Sequence, residues 1–149
     1  MGGIVKILVG SKAFFSKFDD FNPKDADYML IMNNPPKNKK YQLVRFKNLD
    51  YFIYKRMSKI DFINFIINSK SPMYAGMFIA PEFIDYMGIN IEDLDLLQNV
   101  FEHMDDKHSY EKMIYNYYKQ NNGFYLTDEQ LEAVYMDYKS KRKKSYSAE

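Results

Sequence analysis

The sequence predicts an α/β (α+β) fold, with strands first and helices after. Three observations carry that expectation. The first half holds four apolar runs of strand length, over residues 4–9, 25–32, 41–46 and 50–54, divided by turn residues. The second half instead carries apolar residues at helical spacing behind capping residues. The chain has 149 residues, 46% of them hydrophobic, which suits one domain with a core of its own.

Residues 4–9 read as a buried first strand in which Lys6 is the charged position. Gly10-Ser11 is a turn, and residues 12–18 make a short helix with Ala13, Phe14 and Phe18 facing inward. Asn22-Pro23 marks a loop before the second strand, residues 25–32. Asn33-Asn34-Pro35-Pro36, followed by Lys37, Lys39 and Lys40, is the clearest loop, because adjacent prolines prevent regular pairing. Its lysines read as solvated. A break at Lys47-Asn48 divides the third strand, residues 41–46, from the fourth, residues 50–54.

Ser58 with Asp61 forms a capping pattern ahead of a helix to about residue 68. Ile60, Ile63 and Ile67, with Phe62 and Ile66 beside them, give that helix a broad apolar surface. Ser71-Pro72 ends the unit, and residues 73–79 are apolar without a clear period. Pro81 opens the next helix and Gly88 stops it. Asn90 caps a helix whose Leu94, Leu97, Phe101 and Met104 share one stripe. Asp105 to His108 interrupts the pattern, residues 110–118 resume it, and Asn121-Asn122-Gly123 stops it. Thr127 with Gln130 is a second capping box, opening a last helix with Leu131, Val134, Tyr135 and Tyr138 on one face. The organisation expected is a single domain over 1–149: a core over 1–70, a helical extension over 71–138 and a basic flexible tail over 139–149.

Asp25 and Asp27 stand two apart at the head of the second strand, so they project to one face. Neighbouring carboxylates repel, and burying them unpaired is costly. A divalent cation is the usual reason to keep such a pair, and Mg²⁺ binds through one or two carboxylates plus substrate phosphates. Relief of the repulsion predicts that Asp25→Asn stabilises the metal-free fold slightly. At the other end of the motif, Gly10 allows close approach of a ligand to the backbone. The Ser11 hydroxyl and the free N–H groups of a following helix suit phosphate oxygens.

Gly10-Ser11, a gap of about a dozen residues, then Asp25-Ala26-Asp27 on a strand resembles the signature of the DNA polymerase β-like nucleotidyltransferase superfamily. The likeness continues through Asp50-Tyr51-Phe52-Ile53-Tyr54, Lys59-Ile60-Asp61-Phe62-Ile63-Asn64-Phe65, Ser71-Pro72-Met73 and Ala80-Pro81-Glu82-Phe83. With Phe101-Glu102-His103-Met104 through Tyr117-Tyr118-Lys119-Gln120, it is similar to the predicted nucleotidyltransferases of bacteriophages and bacteria, over most of the first 120 residues. The Gly-Ser and Asp-x-Asp positions are its specific part.

The resemblance implies a small mixed-sheet core with a metal site over 1–70. It implies transfer of a nucleoside monophosphate from an NTP to a hydroxyl of a protein, a nucleic acid or a small molecule. Gly10, Ser11 and Lys12 would hold the triphosphate. Asp25, Asp27 and Asp50 would bind Mg²⁺ or Mn²⁺, and Asp50 would accept the proton of the attacking hydroxyl. Lys12 departs from the arginine common there, supplying charge without a bidentate fork. Asp61 is a rival for the third acid, although capping accounts for it. The chain ends soon after the first helical segment, where larger relatives carry further helices. The alternative reading is therefore a catalytically silent binding protein of the same fold, phage-encoded, acting on a host protein or nucleic acid.

The net charge of +1 gives the whole molecule no strong field for nucleic acid. The basic run Lys139 to Lys144 reads as a solvated end. The absence of cysteine excludes disulfides and Cys-based zinc sites. His103 and His108 are five apart, on different helix faces, and read as surface residues rather than zinc ligands. Lys107 and Lys112 are weaker candidates to touch phosphate. Tyr110, Tyr115, Tyr117 and Tyr118 read as core rather than a base-stacking platform. With neither a signal-peptide pattern nor an apolar run of membrane length, the expectation is a cytoplasmic protein, bacterial or in a phage-infected cell, with no membrane partner. The abundance of Tyr, Phe and Met makes a homo-oligomer that completes the cleft a further expectation.

Overall fold

In the computed structural model, which describes residues 3–23, 25–35, 41–69 and 72–147, four strands form one mixed sheet. They are β1 (Val5–Val9), β2 (Ala26–Met32), β3 (Tyr41–Phe46) and β4 (Leu49–Lys55), in the order β1-β2-β4-β3. β1 is antiparallel to β2, β2 is parallel to β4, and β4 is antiparallel to β3. Lys24, the lysines of the proline loop and Ser71 lie outside the described residues. The β3–β4 connection is the expected break at Lys47-Asn48, with Lys47 in the left-handed region at φ 58°.

Alternation divides the sheet into two faces. Ile7, Val9, Met29, Ile31, Phe52 and Tyr54 are buried on the inner face, under the helices. On the outer face Tyr28 stacks on Tyr51 across the parallel pair, and Lys6 Nζ lies 4.4 Å from the Tyr28 ring centre. The edge strand β3 reaches past this cover, leaving Leu43 and Phe46 exposed.

The helices follow the capping signals closely. α1 (Lys12–Phe15) is shorter than the 12–18 expected, because turns at Phe18 and Phe21 take over from it. α2 (Lys59–Ser69) begins where the Ser58 hydroxyl accepts from the Asp61 N–H at 3.2 Å. The ambiguous stretch is helical: α3 (Pro72–Ala75) runs into a buried 3₁₀ turn at Gly76–Ile79. α4 (Pro81–Met87) stops at Gly88, whose φ of 67° suits glycine. The helix expected after Asn90 is two pieces, α5 (Ile91–Asp95) and α6 (Gln98–Glu102), although Leu94, Leu97 and Phe101 are all fully buried. A 3₁₀ turn at Asp106–His108 leads into α7 (Ser109–Asn121), and the Thr127–Gln130 capping box opens α8 (Asp128–Ser147).

The backbone of the basic stretch from Lys139 continues α8 as far as Ser147. The reason is a ring cluster that anchors α8 to the first half. Phe15 is fully buried, with ring centres 5.1 Å from Tyr135, 4.9 Å from Tyr138 and 5.6 Å from Tyr110 of α7. Tyr135 stacks on Phe18 at 4.1 Å and donates to Asp20 Oδ1 at 2.7 Å. Burying a ring such as Phe15 contributes roughly 2–3 kcal/mol. Among the described residues, no helix is long and apolar enough to cross a membrane.

Candidate active-site cleft

The sheet register brings two of the predicted acids together. Asp27 of β2 lies opposite Asp50 of β4, and Asp50 in turn lies opposite Arg45 of β3. Because β2 and β4 are parallel neighbours, both carboxylates leave the same end and face of the sheet. The two carboxylates are register partners on adjacent strands, close enough to repel each other. Burial first, then the charge of Asp50, a hydrogen bond with it and the charge of Asp25, push Asp27 up to about 6.

Asp25 goes elsewhere. It precedes β2, its side chain is half exposed, and it accepts from Arg45 Nη2 at 2.8 Å. Arg45 also reaches Asp50, with Nε 3.3 Å from Oδ1. Among the described residues, no group of three or more acidic or histidine side chains is gathered to hold a metal. The arrangement is a carboxylate pair, Asp27 and Asp50, with Arg45 spanning Asp50 and Asp25 on its outer side. The donor set fits a hard cation held by two carboxylates, since a cation there would offset the burial and mutual repulsion that raise Asp27.

Gly10 follows β1 directly beside this pair. Its φ is 77°, and a Cβ there would lie 2.6 Å from Asp27 Oδ2, so the turn needs glycine on both counts. Ser11 is half-buried and Lys12 exposed. The Ser11 side chain makes no capping hydrogen bond; its carbonyl accepts from Phe14 and Phe15. Of the three residues expected to hold a triphosphate, Gly10 lines the cleft at the acids, whereas Ser11 and Lys12 do not.

The cleft itself is about 630 Å³. Val9, Gly10, Asp27, Asp50 and Phe52 form its sheet wall, and Gly76 and Met77 form its floor. Its helical wall comes from the turn before α7 and from α7 and α8, including Lys107, His108, Glu111, Tyr138 and Lys141. Lys107, a weak candidate from sequence, does line it; Lys112 instead donates to the Glu102 carbonyl at 3.3 Å. Lys107 and Lys141 thus reach the cleft from elements remote in sequence, alongside the acidic Asp106 and Glu111.

Sequence reasoning missed Glu111, which is 7% exposed and lies on the buried face of α7 with Ile114, Tyr115 and Tyr118. A charge at that position in an otherwise apolar helical stripe is the signal that could have found it. His108 Nδ1 lies 2.7 Å from Glu111 Oε1. The hydrogen bond to Glu111 raises His108 above the ordinary imidazole range, and burial raises Glu111. His103 instead bonds the Asn99 carbonyl through Nδ1 at 2.8 Å, so the two histidines share no site. Comparison of the chain with family models, curated proteins and solved structures finds no match.

Proposed function

We propose that this cleft is a Mg²⁺- or Mn²⁺-dependent nucleotidyl-transfer site, moving a nucleoside monophosphate from an NTP to a hydroxyl acceptor. One observation carries the reading: Asp27 and Asp50 are held against each other at the mouth of a cleft, beside a glycine turn that admits no side chain. A pair of acids kept this close is stabilised by a cation rather than by the fold. When bound, the cation supplies charge neutralisation for the phosphates and lowers the pKa of the attacking hydroxyl. The chain's own part is to orient: Asp27 and Asp50 hold the cation, the Gly10 turn lets phosphate close to the backbone, and Lys107 and Lys141 attract it from the opposite wall. Positioning and charge carry most of the barrier reduction in phosphoryl chemistry. The order Gly10-Ser11, Asp25-Ala26-Asp27 and Asp50, which resembles the polymerase β-like nucleotidyltransferases, supports the same reading.

A second reading is a catalytically silent binding protein of this fold, acting on a host protein or nucleic acid. The observation that favours it is Arg45, whose guanidinium satisfies Asp25 and Asp50 without a metal. Calorimetry with each NTP, with and without Mg²⁺, separates the two. The transferase reading expects binding that needs Mg²⁺ and weakens at least tenfold in Asp27→Asn/Asp50→Asn. Failure of every NTP to bind would overturn it, and binding indifferent to Mg²⁺ would favour the silent protein.

A further inference from the structure

We propose that His108, aligned by the buried carboxylate of Glu111, accepts the proton of the attacking hydroxyl; this rests on the nucleotidyl-transfer reading above. Glu111 is the sole buried charged side chain among the described residues. Burying a carboxylate costs several kcal/mol unless it is paired, so a helix keeps one in its core for a reason. The fold makes room for it specifically: a Cβ on Gly76 would overlap the Glu111 carboxylate. Its partner is His108, at 2.7 Å from Oε1 to Nδ1, and both line the cleft that holds Asp27 and Asp50.

With Nδ1 committed to Glu111, Nε2 is the remaining ring nitrogen of a side chain that lines the cleft. A carboxylate behind an imidazole fixes its tautomer and stabilises the imidazolium that forms. Asp50 is poorly disposed for the same task, because Arg45 and Asp27 both engage it. An imidazole backed by a carboxylate, unlike a carboxylate already paired with Arg45, is free to take a proton as general base. The charged groups around His108 are Glu111, Asp105 and Lys107 on its own segment, with Asp106 beside them. Asp27, Asp50 and Lys141 face it across the cleft.

In the step, the Nε2 lone pair takes the hydroxyl proton and the acceptor oxygen bonds to the α-phosphorus. The bond from that phosphorus to the bridging oxygen breaks, and pyrophosphate leaves with the bonding pair. The proton stays on His108 as imidazolium, opposite the Glu111 carboxylate. His108 is thereby the catalytic residue and Glu111 a positioning residue.

The chain has two histidines, so ¹⁵N NMR of its imidazoles is assigned by one His103→Ala variant. Neutral His108 is expected as the Nδ1–H tautomer, with a midpoint that falls in Glu111→Gln as the hydrogen bond raising it is lost. An Nε2–H tautomer, with Glu111 holding the proton, leaves no lone pair toward the cleft and would overturn the proposal. Pyrophosphate release by the full chain, with Mg²⁺ and ATP, GTP, CTP or UTP, is the second readout. His108→Gln retains a donor for Glu111 and guards the fold; it should slow release about 100-fold with NTP affinity unchanged. Added imidazole should restore part of the rate in His108→Ala. Wild-type release in both variants would sink the base assignment alone. Failure of the unaltered chain to bind any Mg–NTP would instead remove the nucleotidyl-transfer reading, and this inference with it.

Discussion

At Asp27 the fold prefers the uncharged carboxyl. Its folded value of about 6 lies above the 3.8 of an unperturbed group, raised chiefly by burial and then by Asp50. A raised acid favours the folded state when protonated, so its stability contribution is intact at low pH and is lost as pH climbs from about 4 to about 6. The full loss is on the order of 2–3 kcal/mol. Asp27→Asn should therefore stabilise the metal-free protein by about 1–3 kcal/mol at pH 7.5 and leave it unchanged near pH 3.5. Thermal melts in chelator at the two pH values test this, and an equal shift at both would refute it. The gain expected from sequence at Asp25 moves to Asp27, because Arg45 offsets the Asp25 charge. Gly76 is the other residue whose replacement is sharply defined. Gly76→Ala should destabilise by roughly 2–3 kcal/mol through its collision with the Glu111 carboxylate. Denaturant titration should show most of that loss recovered in Gly76→Ala/Glu111→Ala, and simple additivity of the two changes would mean that they do not touch.

Among the elements, those with explicit chemistry at their ends were readable from the sequence. Asn90 and Asp93 form a full capping box at α5, with Asn90 Oδ1 3.0 Å from the Asp93 N–H, and the Thr127–Gln130 box does the same for α8. Pro81 and Gly88 bound α4 in the same way. What could not be read was how far a periodic stripe stays one helix. Leu94, Leu97 and Phe101 keep helical spacing, yet the chain breaks between α5 and α6, because burial of those side chains does not require an unbroken backbone. The extension of α8 past Lys139 was hidden for the opposite reason: the charge of that stretch suggested a tail, and tertiary packing around Tyr135 and Tyr138 overrode it. That packing yields a prediction. Phe15→Ala removes the ring that α1, α7 and α8 share, and should cost about 3–5 kcal/mol. Urea unfolding measures the loss, and a change below 1 kcal/mol would mean that α8 is held by its ion pairs, Lys17–Asp128 and Lys139–Asp20, rather than by the rings.

On the scale of the whole molecule, the site divides into a legible and an illegible half. Gly10, Asp27 and Asp50 sit at strand ends, where apolar runs give way to Gly or Asp, and the register then makes them neighbours. The opposing wall is harder to read: Gly76, the i,i+3 pair His108 and Glu111, and Lys141 come from three separate segments that meet through packing. Asp25 shows the limit of a spacing rule, since sharing a face with Asp27 did not keep it from turning to Arg45. The docking of α8 on Phe15 has a consequence for the order of events as the protein is made. The sheet and its acids leave the ribosome first, whereas Tyr138 and Lys141 belong to a helix synthesised more than a hundred residues after Gly10. A growing chain thus carries its carboxylates on an open sheet, and the cleft gains its far wall only when α8 folds back.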